Sequence, residues 1–165
     1  MKILGIDPGT VIMGYGVIET GDGEPSFIEC GVIKPPAHSS IGERLSFLYK
    51  NLLKIIASSG PDVIAIEEPF VAKNVRTALA IGRAQAIAIL SAANFDIPSF
   101  EYTPAQIKQR VTTYGASSKE QVQEMVRLQL GLDHVPEPDD AADALAVALC
   151  HMSEAHVNNL LRQSD

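Results

Sequence analysis

Four acidic residues stand at positions where their side chains could meet and bind metal ions. Asp7 ends a first apolar run, and Glu67 ends a second one that is typical of a strand buried on both faces. Asp140 and Asp143 lie three residues apart at the start of a predicted helix, so their carboxylates share one face. Such hard oxygen ligands suit Mg²⁺ or Mn²⁺. With two ions about 3.5–4 Å apart, a cluster of this kind performs phosphoryl transfer through an activated water.

Each of these acids also has an ordinary structural explanation. Asp7 begins an Asp-Pro-Gly tripeptide, which favours a turn, and acidic residues at a helix start gain about 0.3–1 kcal/mol each from the helix dipole. Glu68, beside Glu67, fits a solvated turn residue, and alternation along the strand puts the two on opposite sides. Asp139 fits a helix N-cap, yet Asp139, Asp140 and Asp143 together exceed what capping needs. Like charges held this close are costly unless a cation lies between them.

A zinc centre is disfavoured by the histidine and cysteine spacing. The two cysteines, Cys30 and Cys150, are far apart, and the four histidines show no ligand spacing with them. We interpret the histidines as ordinary surface or partly buried residues.

The predicted elements place the acids in an α/β fold. Three strands come first and form an antiparallel meander: Lys2–Ile6, Gly14–Glu19 and Ser26–Ile33. Strands are then expected at Val63–Ile66 and Pro98–Tyr102. Helices are expected at Ile41–Ser58, from an Asn74 cap to about Ala93, at Pro104–Thr113, at Ser118–Leu130 with Gly131 after its end, and after Pro138. This order predicts a mixed sheet, antiparallel on one side and parallel on the other.

Composition bounds the class of protein. The 165 residues, 46% of them hydrophobic and 20% charged, predict a globular protein of one domain. The longest run of small apolar residues, Ala78–Ala93, contains Arg83 and Gln85 and is shorter than the roughly 20 residues of a membrane span. With no signal-peptide pattern at the N-terminus, we expect a cytoplasmic protein.

The net charge of −7 argues against a surface that binds nucleic acid everywhere, but the charge is unevenly distributed. Between Lys73 and Arg127 there are seven basic and four acidic residues, so that this segment carries +3 and the rest of the chain −10. Four of the acidic residues in the rest of the chain are the candidate metal ligands. The charge pattern therefore predicts a modest basic surface around an acidic centre.

Three motifs give the chain a specific resemblance. They are Gly5-Ile6-Asp7-Pro8-Gly9-Thr10 with Gly14-Tyr15-Gly16-Val17-Ile18, then Ala65-Ile66-Glu67 with Phe70-Val71-Ala72-Lys73-Asn74, and finally Asp140-Ala141-Ala142-Asp143-Ala144-Leu145-Ala146. In this order and spanning nearly the whole chain, they resemble RuvC, the family of bacterial Holliday-junction resolvases with an RNase H-like fold.

The resemblance implies a fold and an activity. The fold would be an RNase H-like mixed five-stranded sheet flanked by helices, with residues 1–155 as the nuclease domain and residues 156–165 as a C-terminal tail. The activity would be that of a Mg²⁺-dependent homodimeric endonuclease, with two ions per site and Mn²⁺ as the other candidate ion. It would resolve four-way DNA junctions by symmetric paired nicks in recombination and repair, with RuvA and RuvB as partners.

Site residues follow from the resemblance position by position. Asp7, Glu67, Asp140 and Asp143 align with the family's metal-binding catalytic acids. Lys108 and Lys119 match basic positions near the scissile phosphate, where they would neutralise charge in the transition state. Phe70 matches an aromatic residue that stacks on a junction base, an interaction worth about 1–3 kcal/mol. The set of expected DNA contacts is Phe70, Lys73, Asn74, Arg76, Lys108, Arg110 and Lys119.

Two other function classes stay open. A catalytically inactive junction-binding module would keep the fold without cutting, although all four acids are present. In an actin-like ATPase or sugar kinase, a phosphate-binding loop with the sequence Asp-x-Gly-Thr also follows a strand, as Asp7 to Thr10 do here. That class needs two such domains, and no second Asp-x-Gly-Thr is found in the 165 residues.

Overall fold

The computed structural model describes residues 1–21, 24–68 and 75–162. Its strands are β1 (Lys2–Asp7), β2 (Met13–Gly21), β3 (Glu24–Ile33), β4 (Val63–Glu67) and β5 (Ser99–Tyr102). Its helices are α1 (Ile41–Ser59), α2 (Val75–Ala93), α3 (Pro104–Thr112), α4 (Lys119–Gln129) and α5 (Asp139–Arg162).

The strands form one mixed sheet in the order β3-β2-β1-β4-β5. β1 pairs with β2, and β2 with β3, in antiparallel fashion, whereas β1 with β4 and β4 with β5 are parallel. The predicted fold class, a mixed five-stranded sheet flanked by helices, is therefore confirmed. In the parallel half, the carboxyl ends of neighbouring strands meet at one edge, which is where ligand sites of such sheets collect.

Helices cover both faces of the sheet, and alternation along β1 sends its side chains to both. Ile3 packs in the core under α3, α4 and α5, whereas Leu4 and Ile6 pack in the core under α1 and α2. All three side chains are fully buried, and burial of each stabilises the fold by about 1.5–3 kcal/mol.

Glycines let α5 lie directly on the first two strands. A Cβ on Gly5 would lie 2.0 Å from the backbone oxygen of Ala144, and a Cβ on Gly14 would lie 1.9 Å from that of Asp140. Both distances are far below van der Waals contact, so only glycine fits at these positions. The first turns of α5 are thereby held against β1 and β2.

Most predicted elements agree with the structure within one to three residues. Gly131 follows α4 with a φ of +62°, the left-handed conformation expected of a residue just past a helix end. Asp139 differs from its prediction, because it is the first residue of α5 and not the N-cap. The predicted cap Asn74 lies outside the described residues. Helix α5 continues to Arg162, through most of the segment predicted as a tail.

Helix α2 is longer than the apolar run seen in the sequence. It spans 19 residues, and by length and composition alone it could cross a membrane. Its buried residues, Ala84, Ala88, Ser91 and Ala92, face the rest of the fold, whereas Leu79 and Leu90 are more than half exposed. Length therefore does not exclude a membrane span as the sequence run suggested, and the helix has an apolar side without a covering element in the described residues.

Candidate active site

Register and alternation bring two of the predicted acids together. Ile6 of β1 pairs with Ile66 of β4, so that Asp7 and Glu67 end the two strands side by side. Asp7 shares its face of β1 with Ile3 and Gly5, the face that α5 covers. Glu67 likewise shares the α5 side of β4 with Val63 and Ala65, both of which lie in the same core cluster.

The first two turns of α5 supply the other two acids. Asp140 and Asp143 lie near the helix start. The backbone of Asp140 packs on Gly14, which pairs with Asp7 in the sheet. Asp7 interacts electrostatically with Glu67, Asp140 and Asp143. The structure thus brings the four predicted acids to one place.

The electrostatics of this group are unfavourable for negative charge. The pKa of Asp7 rises from 3.8 to about 8, first because burial disfavours the ionised carboxyl and then because charged neighbours repel it. Burial followed by repulsion from Asp143 raises the pKa of Glu67, and a hydrogen bond with Asp7 opposes that rise. Burial also raises the pKa of Asp143, while Lys119 acts in the opposite direction. A cation would relieve this repulsion.

Two lysines lie beside the acids in a cleft of about 260 Å³. Glu67 and Asp143 line it together with Lys108 from α3 and Lys119 from α4. The Nζ of Lys119 lies 2.9 Å from Asp143 Oδ2 and 3.3 Å from Asp139 Oδ2. Burial lowers the pKa of Lys119, but the two carboxylates outweigh burial and raise it.

A second cleft, of about 460 Å³, also borders the acids. Asp7 and Asp140 line it, together with the loop 8–12 and with Arg76 and Thr77 of α2. Arg76 therefore lines a cleft that borders the acidic group, and this cleft is a different one from that of Lys108 and Lys119. Each cleft is thus lined by two of the four acids, with Lys108 and Lys119 in the first and Arg76 in the second.

The donor set fits divalent metal ions by chemistry and charge. Four carboxylates supply hard oxygen ligands, and the pKa of Asp7 is raised first by burial and then by repulsion that an ion would relieve. Among the described residues, no three acidic, histidine or cysteine side chains already surround one point as a complete ligand set. One oxygen of Asp143 forms an ion pair with Lys119. Asp7, Glu67, Asp140 and Asp143 are the side chains that would bind such ions.

The remaining predicted DNA contacts divide into two groups. Phe70, Lys73 and Asn74 lie outside the described residues. Arg110 is described, but two positions separate it from Lys108 on α3, so the two side chains point differently. Its Nε donates to Glu154 Oε1 at 2.7 Å, beside a separate pocket lined by Met1, Thr20, Met152 and His156. The structure does not bring Arg110 to the acidic group.

Asp139 is a site residue that the sequence interpretation missed. Its prediction as an N-cap accounted for its position at the helix start but not for its contact with Lys119. The available signal was spacing: Asp139 and Asp143 are four residues apart, so both lie on one helix face and can hold one ammonium group between them.

Comparison with known proteins gives one consistent result. Residues 3–151 match the family model described as crossover junction endodeoxyribonuclease RuvC. A protein of that name from Dehalococcoides mccartyi (strain BAV1) is 52% identical over 165 residues, which are 100% of this chain and 99% of the relative. One from Chloroflexus aggregans is 51% identical over 151 residues, 92% of each chain.

Solved structures agree with the sequence relatives. The Thermus thermophilus RuvC structure described as a complex with Holliday junction substrate superimposes with a TM-score of 0.90 at 32% identity, over 96% of both chains. The yeast mitochondrial Holliday junction resolvase Ydc2 has a TM-score of 0.67 at 15% identity, over 99% of this chain and 86% of that one, a likeness that concerns the fold alone.

Proposed function

Because the chain belongs to the RuvC family of crossover junction endodeoxyribonucleases, we propose that its four clustered acids use divalent metal ions to nick opposing strands of a four-way DNA junction. The observation that carries this proposal is the meeting of Asp7, Glu67, Asp140 and Asp143 at the carboxyl edge of the parallel strands, where they line two clefts. The match over residues 3–151 favours this function over an actin-like ATPase.

The acids would hold the metal, for which we propose Mg²⁺ with Mn²⁺ as a substitute, two ions to a site. When bound, such ions activate a water molecule and stabilise charge on the leaving oxygen. The protein's own part is to hold four carboxylates in fixed positions, since two sit on strand ends and two on the helix packed against them. No nucleophilic side chain is needed for this hydrolysis.

Lys108 and Lys119 would stabilise the phosphate during cleavage. Both line the cleft that Glu67 and Asp143 also line, so an ammonium group there lies beside the ions' ligands. Fixed positive charge next to a phosphate favours the more highly charged transition state. The second cleft, with Arg76, would receive DNA beside Asp7 and Asp140. Phe70, Lys73, Asn74 and Arg110 stay predicted DNA contacts.

Helix α2 is the surface that we propose for a homodimer. Leu79, Gly82, Ala86 and Leu90 recur at helical spacing along it, and Leu79 and Leu90 are 56% and 51% exposed. Apart from the adjacent backbone of α2, no atom of the described residues lies within 4 Å of where a Cβ on Gly82 would be, so a second helix could approach closely there. A twofold dimer through α2 would present two acidic sites to two opposing strands.

The cellular setting is proposed from the family. A cytoplasmic enzyme that acts with RuvA and RuvB on recombination intermediates fits a junction substrate. Both the location and these two partners are predictions for this chain.

The proposal is tested by cleavage of a synthetic four-way junction in Mg²⁺, in Mn²⁺ and in EDTA, with a linear duplex of the same sequence as control. We expect cleavage of the junction alone, and only with a metal. Replacement of any one acid by its amide, beginning with Asp7→Asn, should reduce the rate by about a hundredfold or more. Lys108→Ala should cost less.

The same assay separates the proposal from an inactive junction-binding module. Binding of the junction in EDTA, measured by fluorescence anisotropy, should persist in Asp7→Asn although cleavage is lost. If the parent protein binds the junction but leaves it intact in both metals, the inactive module is the correct reading and the metal proposal is wrong.

A further inference from the structure

Lys119 is held by two carboxylates that differ in their surroundings. Asp143 Oδ2 lies 2.9 Å from its Nζ and Asp139 Oδ2 lies 3.3 Å away. The Asp143 side chain is 25% exposed and belongs to the acidic group, whereas that of Asp139 is 66% exposed and stands toward solvent. The ammonium therefore lies between an inner acid and an outer one.

The backbone on both sides of this contact is firmly placed. Ser118 caps α4, accepting from the backbone N–H of Gln121, whose Oε1 accepts in return from the N–H of Ser118 at 2.8 Å. Lys119 is the first residue after that cap. On the other side, Asp139 and Asp143 occupy successive turns of α5, whose start rests on Gly14. Lys119, Asp139 and Asp143 therefore meet because the capped start of α4 faces the start of α5, which is packed on the sheet.

Asp143 has two cationic partners: a metal ion according to the proposed function, and Lys119 in the structure. A carboxylate that is committed to a divalent ion attracts a neighbouring ammonium group less strongly, because the ion repels that group. Asp139 has no part in the proposed ligand set. It can therefore keep its contact with Lys119 whichever cation Asp143 holds.

We propose that Asp139 is a positioning residue, which holds the Lys119 ammonium beside the scissile phosphate while Asp143 binds metal. This inference rests on the proposed function, because it assigns a second acid to the same lysine in the same cleft. Asp139 acts only through Lys119 and touches neither the substrate nor the ions.

The sign of the effect distinguishes this role from simple electrostatics. Asp139→Asn removes a negative charge near a DNA-binding surface, which by itself should tighten junction binding and lower KM. The positioning role instead lowers kcat, by about two- to fivefold for an exposed ion pair. Glu137→Gln is the matched control, because it removes one exposed charge two residues before Asp139, and no ion pair joins Glu137 to another described residue. It should leave kcat unchanged.

A double-mutant cycle shows whether Asp139 acts through Lys119. Lys119→Met should reduce kcat by about tenfold or more. Asp139→Asn should then cause no further loss in the Lys119→Met protein, and Asp139→Glu should keep kcat within about twofold of the parent. Equal losses from Asp139→Asn with and without Lys119 would overturn the proposal and leave Asp139 as a helix-terminal acid.

A measurement independent of cleavage follows the ammonium group itself. In proton–nitrogen correlation spectra of lysine side chains, an ammonium held by a carboxylate exchanges slowly enough to be seen, and Lys119→Met identifies its signal. We expect that signal in the Mg²⁺-loaded parent and its loss in Asp139→Asn. Its persistence in Asp139→Asn, or its absence from the Mg²⁺-loaded parent, would overturn the proposal.

The two proposals fail in different ways. If the parent does not cleave a junction with any metal, the proposed function is wrong, whatever the spectra show. If the parent cleaves and Asp139→Asn retains its full kcat, only the role of Asp139 is wrong.

Discussion

Asp7 is held where its ionised form is disfavoured, by burial and by three neighbouring carboxylates. Its pKa of about 8, against 3.8 for the free group, means that the folded chain binds this proton more tightly than the unfolded chain does. In metal-free protein, the stability that Asp7 contributes is present below about pH 3.8 and is lost as the pH rises through about 8. A site built to bind cations thus costs stability until it has one.

We therefore expect Asp7→Asn to stabilise the metal-free protein while it abolishes cleavage. In EDTA at pH 8, the free energy of unfolding in urea should rise by about 1–2 kcal/mol, and the gain should shrink toward pH 5. Asp133→Asn, at an exposed position outside the acidic group, should change it by less than about 0.5 kcal/mol. A gain that does not depend on pH would contradict the proposed repulsion.

His151 makes the free energy of unfolding depend on pH in the opposite direction from Asp7. It is buried, its Nδ1 lies 2.7 Å from the hydroxyl of Tyr102, and burial lowers its pKa below 6.5. The stability that it contributes is present above about pH 6.5 and is lost as the pH falls through its lowered value. Because Asp7 and His151 act in opposite directions, comparison of variants is needed to separate them.

His151→Gln should therefore lose less stability than the parent between pH 7 and pH 5. The glutamine can still bond to Tyr102 but takes up no proton. His156→Gln, at an exposed position five residues further along α5, should follow the parent. Equal pH dependence of unfolding in the parent and His151→Gln would show that this histidine does not titrate as its burial implies.

At the scale of elements, the site depends on how closely α5 approaches the sheet. Strand ends and helix starts could be predicted from hydrophobic periodicity and turn residues, so Asp7, Glu67, Asp140 and Asp143 could be found from the sequence. The close approach could not, because a glycine in a strand also fits a bulge or a turn. The role of Gly14 follows from the structure alone, in which the backbone of Asp140 occupies the space that a Cβ would need.

Gly14→Ala should damage both stability and cleavage. The new Cβ would collide with a backbone oxygen, so the first turn of α5 must move and take Asp140 with it. We expect a loss of about 1–3 kcal/mol in the free energy of unfolding, and a rate reduced by about a hundredfold for a displacement near 1 Å.

Gly42→Ala is the matched control for that variant. Apart from the adjacent backbone of α1, no atom in the described part of the chain lies within 4 Å of a Cβ at Gly42, near the start of that helix. It should stabilise the fold by up to about 1 kcal/mol and leave cleavage unchanged. If Gly14→Ala behaved like Gly42→Ala, the packing of α5 on β2 would not be what positions Asp140.

At the scale of the whole molecule, charge and apolar surface point to partners larger than the chain. The net charge of −7 averages over a basic segment between Lys73 and Arg127, which the order of the residues already shows. The exposed apolar side of α2 could not be predicted in this way, because it depends on which residues face outward. The same holds for Asp139: its residue type predicted a helix cap, whereas its contact with Lys119 depends on how closely α4 approaches α5.

Leu90→Glu should convert a dimer into monomers, since it would bury a charge in the proposed α2 contact. Leu128→Glu on α4, at a position 54% exposed, is the matched control and should leave the mass unchanged. Sedimentation equilibrium distinguishes the two states. A parent that sediments as a monomer, or a Leu90→Glu protein that remains dimeric, would refute α2 as the dimer surface.

Strand-resolved cleavage of a fixed four-way junction tests the central claim most directly. Each of the four strands carries a label in turn, and products are mapped with Mg²⁺, with Mn²⁺ and in EDTA. The account predicts nicks at symmetric positions in one pair of opposing strands, only with metal, and none in the Asp7→Asn protein. Metal-independent cutting, cutting of a single strand by the dimer, or undiminished cutting by Asp7→Asn would contradict it.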